Sequence, residues 1–600
     1  IWPARKRFGS PAKDRNFTMS PAAPGKRLKL KIPETVVYSI RADSLISKGM
    51  SPALSNTGFA LKKLYYDEGE AGLVREAAIP MKVIKGASSS PGVFSGDDRV
   101  VFFAEGIKDD EAAGDIFATF TDYNVIWLEE ELPGSLMREA ALPPGPGEAA
   151  PGFDAVYRGR KDTWYHKNIN AGTWDFYFVM GPVAEAVIPF TLNSPAPAGT
   201  FSIAVRVMGA ASTISSQRIT VSVKNGSGTH LLGSGMVTST NSAVLSFSGL
   251  QSSLLADGQN ELVLSSSVAY GFLVNDFEIK YSAGFSARDN MLEFTLPMML
   301  PPQRVVIPGF TANEGFVIDL ADPSDPVFHQ LAPENFQQEG STYRLTVDLD
   351  TPAESRFAAL GKEAGRHVYN DWISVDANSN LIGSQGAWDA VVIAHPDFLP
   401  PAMNVLTEYE AWREQQGYSV LTVDVTDVYD EFNGGLKSCD AIRRFIRYGS
   451  ENWGTDYVLL VGDGNEDHKR IFYDPSLLKG SPPDFIPPFT YSVDVVGTTY
   501  EDEVIASDKY YSHLDEEWPS AGYPDIFIGR LPVGRDVELQ ALLTKLYRFE
   551  APGAGDSWRK HIALFADDAW SGYPDYRYFS SELEFEGGME KAALDIEESL

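Results

Sequence analysis

Residues 459–468 read LLVGDGNEDH. A short apolar run halts at a Gly-Asp-Gly turn, and an acidic cluster follows. Three readings compete. A calcium loop of the EF-hand kind needs oxygen ligands at alternate positions, a glycine at the sixth and a carboxylate at the twelfth. Asp463, Asn465 and Asp467 meet the alternation and Asp474 the twelfth place, but His468 stands where the glycine is needed. The segment before it also reads as a strand, not a helix. A phosphate loop needs successive glycines leading to Lys-Ser/Thr at a helix start. Here acids follow Gly462 and Gly464 and would repel phosphate. The third reading, a loop leaving the rim of a parallel sheet, depends on what surrounds the stretch.

From about Gly386 the surroundings alternate between two periods. DAVVIAHPDF is a short buried strand, and Pro401 to Gln416 is an amphipathic helix with Met403, Leu406, Tyr409 and Trp412 on one face. Gly417 supplies its stop. SVLTVDV is the next strand, and Ser438 caps a helix that buries Ile442, Phe445 and Ile446. YVLLV and PDIFIG are strands. Asp536 caps a helix with Leu539, Leu542, Leu543 and Leu546 inward, and HIALFADD is a further strand ending in acids. Strands and helices of these lengths, alternating, predict a mostly parallel sheet covered on both faces. Ligands of such sheets sit beyond the carboxyl ends of the strands. LLVGDGNEDH leaves its strand at that rim.

Upstream the chain is β-rich. Residues 1–29 are basic and irregular and are expected to be disordered, and 30–165 form a β-rich N-terminal module that includes DRVVFFAEG. LPPGPGEAAPGF (142–153) reads as a linker or long loop. Residues 166–290 predict a β-sandwich of jelly-roll type. Phe201, Ile203, Val205 and Val207 alternate, as do Ile219, Val221 and Val223 before an Asn225-Gly226 turn. A purely structural role suits that sandwich better than carbohydrate binding, because fold alone does not fix function. Residues 291–385 form a smaller β-rich module with Asp-Pro turns in DLADPSDP. The fold class is therefore multidomain β plus α/β, with the α/β region at 386–600.

The totals limit the function. Six hundred residues exceed one core. A net charge of −32 argues against nucleic acid and anionic membranes. One cysteine, Cys439, excludes an internal disulfide, and no apolar run is long enough for a transmembrane helix. No G-x-S-x-G elbow or H-E-x-x-H pair occurs, which disfavours serine hydrolase and zinc peptidase chemistry. The start has no initiator Met or apolar leader, and the end stops inside a helix-like pattern, so a fragment is expected.

The landmarks of the α/β part resemble, in order and spacing over about 200 residues, the gingipain-type cysteine peptidases, whose catalytic domain has a caspase-like fold. They are WDAVVIAHPDF, WREQQGYSV, VTDVYDEFNGG, SCDAIRRFIRYGSENW, YVLLVGDG, IPP (486–488), SDKYYSHLD, YPDIFIGRLPV, YRFE and WRKHIALFADD. Upstream, DRVVFFAEG, TDYNVIWLEEE and DLADPSDP resemble the leading modules of large secreted members, which include the signal peptidases of the type IX secretion system. The resemblance implies a secreted or cell-surface endopeptidase acting on proteins or peptides, without a required cofactor. It also implies association with the cell surface or secretion machinery. The alternatives are a secretion-linked signal peptidase or sortase, and a non-catalytic adhesive or structural protein with a degenerate peptidase domain.

The family's dyad is a His followed by Gly and a later Cys, in which the imidazole activates the thiolate. None of the eight histidines here precedes a glycine, and Cys439 lies before YVLLVGDG. The dyad is thus expected beyond Leu600, and the chain as given is expected to be inert. Cys439, in the first turn of a helix, reads as a packing residue. Asp525 of YPDIFIGR matches a family acid near the catalytic His and would orient the imidazole. Asp508 of SDKYYSHLD lies on a loop the family uses near the substrate cleft. His468 and His513 read as surface loop residues. Asp567 and Asp568 end a strand at the rim. Trp164, Tyr165 and His166 read as an aromatic strand packed between domains. No metal site has a complete ligand pattern. Structural calcium stays open, because extracellular modules use weak oxygen-ligand sites.

Overall fold

The computed structural model describes residues 26–551 and 591, apart from 53, 56, 68–72, 88–91, 108–119, 146, 166–176, 211–215, 239–240, 269–270, 377–378, 385, 400–404, 472, 475–478, 494–502 and 515–522. The chain divides into two compact units, residues 8–539 and the remainder. His166, Met403, the HIALFADD strand and Asp567–Asp568 lie outside the described residues.

The leading module begins inside the segment expected to be disordered. Arg27–Ile32, RLKLKI, is a strand with Leu28, Leu30 and Ile32 fully buried. Its basic composition hides a period-two pattern that fits a half-buried strand. It pairs with Asn124–Glu130 on one side and with Ile373–Asp376 on the other. Arg366–His367 likewise pairs with Val36–Arg41. The module expected at 291–385 therefore lends its last strands to the first. Such pairing between distant segments leaves no local sequence mark. The linker is also pinned. Arg138–Glu139 and Glu148–Ala149 add parallel edges to the two sheets of the 291–361 module.

The sandwich holds a five-stranded sheet, in which Met180–Val183 pairs with Phe272–Ala283 off the main row, and a four-stranded sheet. Their orders are Phe153–Gly159, Phe272–Ala283, Thr200–Gly209, Ser242–Gln251 and Glu185–Leu192, Gly258–Ser266, Gln217–Asn225, Gly228–Val237. Inward positions alternate as the sequence predicts: Phe201, Ile203, Val205 and Val207 are at most 3 % exposed. The sandwich starts at Phe153 rather than 166, because that strand pairs with Phe272–Ala283 across the whole module.

In the α/β region four strands run parallel in the order Val420–Asp424, Ala390–Ala394, Tyr457–Val461, Phe527–Leu531. Ala390–Ala394 is buried throughout, as a central parallel strand should be. The helix before Gly417 is described over Val405–Glu414, and Gly417 itself has φ +87°. Ser438 Oγ accepts from the Asp440 and Ala441 amides and starts the helix Cys439–Trp453. Asp424 caps Val425–Asn433 in the same way. The last described helix, Asp536–Glu550, follows the Phe527–Leu531 strand.

The Val425–Asn433 helix is the seam between this sheet and the leading module. It ends on Gly434 at φ +64°, and the Gly434 carbonyl accepts the indole N–H of Trp127 at 2.9 Å. The Arg27 guanidinium lies 3.6 Å over the same indole. Lys29 ion-pairs with Asp430. Asp376, Asp427 and Asp430 place carboxylate oxygens within 4.8 Å of one another. Burial, with help from Asp424, Asp376 and Glu431, lifts the Asp427 carboxyl to about 6. A carboxyl whose folded pKa is raised stabilises the fold below its unfolded value of about 3.9 and loses that contribution as pH rises through about 6. Asp427→Asn is therefore expected to melt above the unsubstituted chain at pH 8 and level with it at pH 4. Equal melting temperatures at both pH values would show that the Asp427 carboxylate costs the fold nothing.

Candidate active-site rim

The carboxyl ends of the four strands carry His395, Asp424, Gly462-Asp463-Gly464 and the turn to Val533. The His395 amide donates to the Val461 carbonyl, and its Nδ1 accepts from the Asp397 amide at 3.2 Å. Its ring packs edge-on against Phe485, with centroids 4.8 Å apart. The Gly462 and Asp463 amides donate to the Leu531 and Val533 carbonyls, which ties the central loop to the neighbouring strand exit.

The loop is held from above by a second segment, 484–488. The Phe485 and Ile486 amides donate to the Asp463 carbonyl. Gly462 has φ +138°, and a Cβ there would stand 2.7 Å from that of Phe485. At Gly464 a Cβ would come within 2.6 Å of Pro488 Cδ. The two glycines thus permit close approach of another chain segment, a role distinct from phosphate binding.

Asp484 is the centre of this contact. Its side chain is fully buried, and its carboxylate accepts from Lys437 Nζ at 2.6 Å and from the Asn465 amide at 2.8 Å. His468 Nδ1 lies 2.8 Å away, so the proton belongs on Nδ1. Burial alone would raise the Asp484 pKa, but the Lys437 charge and the His468 hydrogen bond hold it below the usual carboxylate range. His468 is 5 % exposed and packs against Phe120, correcting the surface placement expected for it. His513 is also buried, with Nδ1 2.9 Å from the Lys509 carbonyl. Loop membership says nothing about exposure when the loop is itself covered by another module.

Asp463, Asn465 and Asp467 brace the loop, while Glu466 reaches Tyr165 beside the sandwich. Asp463 accepts from the Gly464 amide, Asn465 from the Asp467 amide, and Asp467 from Ser481 Oγ. Beyond them, Lys469 Nζ reaches Asp122 of the leading module at 2.6 Å and Asp162 beside the sandwich at 2.5 Å. Ile471 joins Tyr165, Phe178, Met208 and Leu273 in a small apolar cluster. Tyr165 thus packs between modules, as its aromatic setting suggests.

Asp508 forms a two-pronged ion pair with Arg530, at 2.8 and 2.7 Å. Arg530 also donates to the Gly462 and Ile486 carbonyls, at 2.9 and 2.8 Å. Asp508 therefore sits at the rim through its partner. Asp525 is not brought near it. Asp525 precedes the Phe527–Leu531 strand, at the sheet's amino edge, and caps the Leu514 amide at 2.7 Å. Cys439 is buried, with Sγ 3.6 Å from the Pro488 carbonyl. Burial drives its thiol far above the usual range. A thiol so placed is a poor nucleophile. Arg530 and Asp484 escaped the sequence reading. Arg530 had one signal, a lone cation in the apolar run IFIGRLPV. Asp484 had none.

Replacing Arg530 by Met leaves Asp508 and two carbonyls without their partner. The expected loss is about 3–5 kcal/mol of stability, read by chemical denaturation. A loss under about 1 kcal/mol, the range of an exposed pair, would mean that Arg530 does not brace the rim.

Comparison with known proteins places this arrangement. The peptidase family C25 model matches residues 384–597. No curated protein sequence matches. The crystal structure of dimeric latent PorU from Porphyromonas gingivalis is similar in fold, with TM-score 0.61 and 16 % identity, over 90 % of this chain and 51 % of that one. The chain thus spans about half the length of that structure. The CBM36-1 domain of a multidomain xylanase, from the hindgut metagenome of Trinervitermes trinervoides, matches at TM-score 0.16 and 14 % identity, over 22 % of this chain and 98 % of that one. The C-terminal CBM6 of LamC from Zobellia galactanivorans matches at TM-score 0.14 and 14 % identity, over 21 % of this chain and 98 % of that one. Scores that low carry no argument. Residues 384–597 are thus similar to peptidase family C25, the gingipain family of cysteine peptidases, and the family model reaches no further into the chain.

Proposed function

We propose that the protein is a secreted cysteine endopeptidase of the gingipain type, acting on proteins or peptides. Its leading β modules and the first part of its catalytic sheet are the residues present here. The observation that carries the reading is the family match over 384–597 on a parallel sheet whose carboxyl rim is tightly braced. In this reading the His and Cys of the dyad follow Leu600. The imidazole takes the thiol proton, the thiolate attacks the scissile carbonyl, and the imidazolium protonates the leaving amine. In this reading the rim described above supplies position: Asp484 and Asp508 are ion-paired, and Cys439 is kept neutral by burial.

A second reading is favoured by the likeness to PorU across 90 % of the chain. In it the enzyme is a type IX secretion-linked signal peptidase that trims and attaches exported cargo. The extracytoplasmic setting belongs to both readings.

The full gene product decides between them. On the first reading it cleaves unfolded protein substrates and is blocked by a thiol-alkylating reagent. On the second it ignores general substrates and processes only exported cargo. Absence of any thiol-dependent cleavage in either assay would support a non-catalytic surface protein instead. In the same full-length background Cys439→Ala is expected to retain activity. Loss of activity with an unchanged melting temperature would reassign Cys439 to catalysis.

A further inference from the structure

The dipeptide Asn-Gly occurs twice in the chain, at 225–226 and at 433–434. With no side chain on the second residue, the glycine amide nitrogen can approach the asparagine side-chain carbonyl closely. The fold holds the two sites in opposite ways. Asn433 is 3 % exposed, with Nδ2 donating to the Leu436 carbonyl and Oδ1 accepting from Arg444. The Gly434 N–H donates to the Tyr429 carbonyl at the end of the Val425–Asn433 helix. A nitrogen so bonded is not free to attack.

Asn225 and Gly226 stand at an open hairpin turn between Gln217–Asn225 and Gly228–Val237. Among the described residues nothing accepts the Gly226 N–H. The Asn225 side chain folds over its own backbone: Oδ1 accepts from the Ser227 amide at 3.0 Å and from Ser227 Oγ at 2.6 Å. His230 Nε2 lies 2.8 Å from the same hydroxyl. With its ring proton on Nε2, His230 donates to Ser227 Oγ and leaves the serine proton for Asn225. Two donors thus point at the oxygen that would take up charge during attack at Cγ, as in an oxyanion hole. Neither space nor backbone demands glycine at 226. A Cβ there would meet nothing within 4 Å and φ is outside the left-handed region, whereas Gly228 has φ +127°.

We propose that Asn225-Gly226 is a self-modifying site, at which the folded turn converts asparagine to aspartate and isoaspartate. The Gly226 nitrogen bonds to Asn225 Cγ and gives its proton to solvent. The Cγ–Nδ2 bond breaks, and Nδ2 takes a proton from water and leaves as ammonia. Water then opens the five-membered imide. One opening leaves Asp; the other routes the main chain through Cβ and Cγ. Nothing is oxidised or reduced. Asn225 Nδ2 now donates to the Leu254 carbonyl at 2.9 Å and to Asn260 Oδ1 at 3.2 Å, which ties the turn to Ser252–Leu254 and the strand after it. A carboxylate at 225 cannot donate, and it turns its charge on those two acceptors. Asn260 cannot reverse its amide in compensation, because its Nδ2 already serves the Ala256 and Gly258 carbonyls. Conversion therefore unclips the turn and puts a charge into residues 225–256, which hold no Asp, Glu, Lys or Arg.

The test keeps the 600-residue chain folded in mildly alkaline buffer, with circular dichroism as the check. Peptides carrying Asn225 and Asn433 are followed by mass spectrometry, with electron-transfer fragmentation to separate Asp from isoaspartate. The Asn225 peptide should gain the mass of an amide becoming an acid, faster as pH rises, while the Asn433 peptide stays unchanged. Gly226→Ala, which the turn accommodates, should lose the conversion. Ser227→Ala should slow it at least about threefold, a small share of what removing an oxyanion donor costs an enzyme. Hydrogen exchange at residues 252–260 should rise as Asn225 converts. An Asn225 that stays intact in the folded chain, converts no faster than Asn433, or converts as fast without the Ser227 hydroxyl would each overturn the proposal. Unchanged exchange at residues 252–260 in the converted chain would overturn the unclipping.

Discussion

One buried carboxylate organises the carboxyl rim of the α/β sheet. Asp484 cannot be placed in the interior without partners, because an unpaired charge there costs several kcal/mol. It takes three: Lys437 ahead of the long helix, His468 at the end of the rim loop and the Asn465 amide within it. The partners come from two pieces of chain, the rim loop and the segment ahead of the long helix, so satisfying Asp484 sets where those pieces stand. The segment after it then lies on Gly462 and Gly464, and Arg530 closes the arrangement from the neighbouring strand.

The same loop reaches outward. One residue past His468, the chain ties the leading module and the sandwich flank to the sheet through Lys469. The Val425–Asn433 helix makes a second tie, with Gly434 against Trp127 and Asp430 against Lys29. These are charged and polar contacts, buried except at Asp122, and their worth lies in geometry more than in net energy. A peptidase sheet fixed to its β modules at two separated points keeps its rim in one orientation relative to them.

Much of the fold was legible before any coordinates. Alternation in FSIAVRVMG, the cap Ser438 and the stop at Gly417 are local signals, and each of these elements formed where its local chemistry demanded. What escaped was non-local. RLKLKI reads as a basic tail until Asn124–Glu130 is beside it. Arg366–His367 and Ile373–Asp376 return to a module three hundred residues earlier, and nothing in their own sequence says so. The site followed the same division. LLVGDGNEDH was readable as a strand and its rim loop. The burial of His468 was not, because it depends on Asp484 and Phe120 arriving from elsewhere. Asp508 was singled out for its loop, and its partner Arg530 is what places it at the rim.

The central claim is that LLVGDGNEDH is a keystone held by Asp484. Hydrogen exchange of Asp484→Asn tests it most directly. The amides of Asp463, Asn465, Phe485 and Ile486 should lose protection together, while the sandwich strands Thr200–Gly209 and Phe272–Ala283 keep theirs. Unchanged protection at those four amides would contradict the account, since the loop would then hold its shape without the charge that is said to organise it.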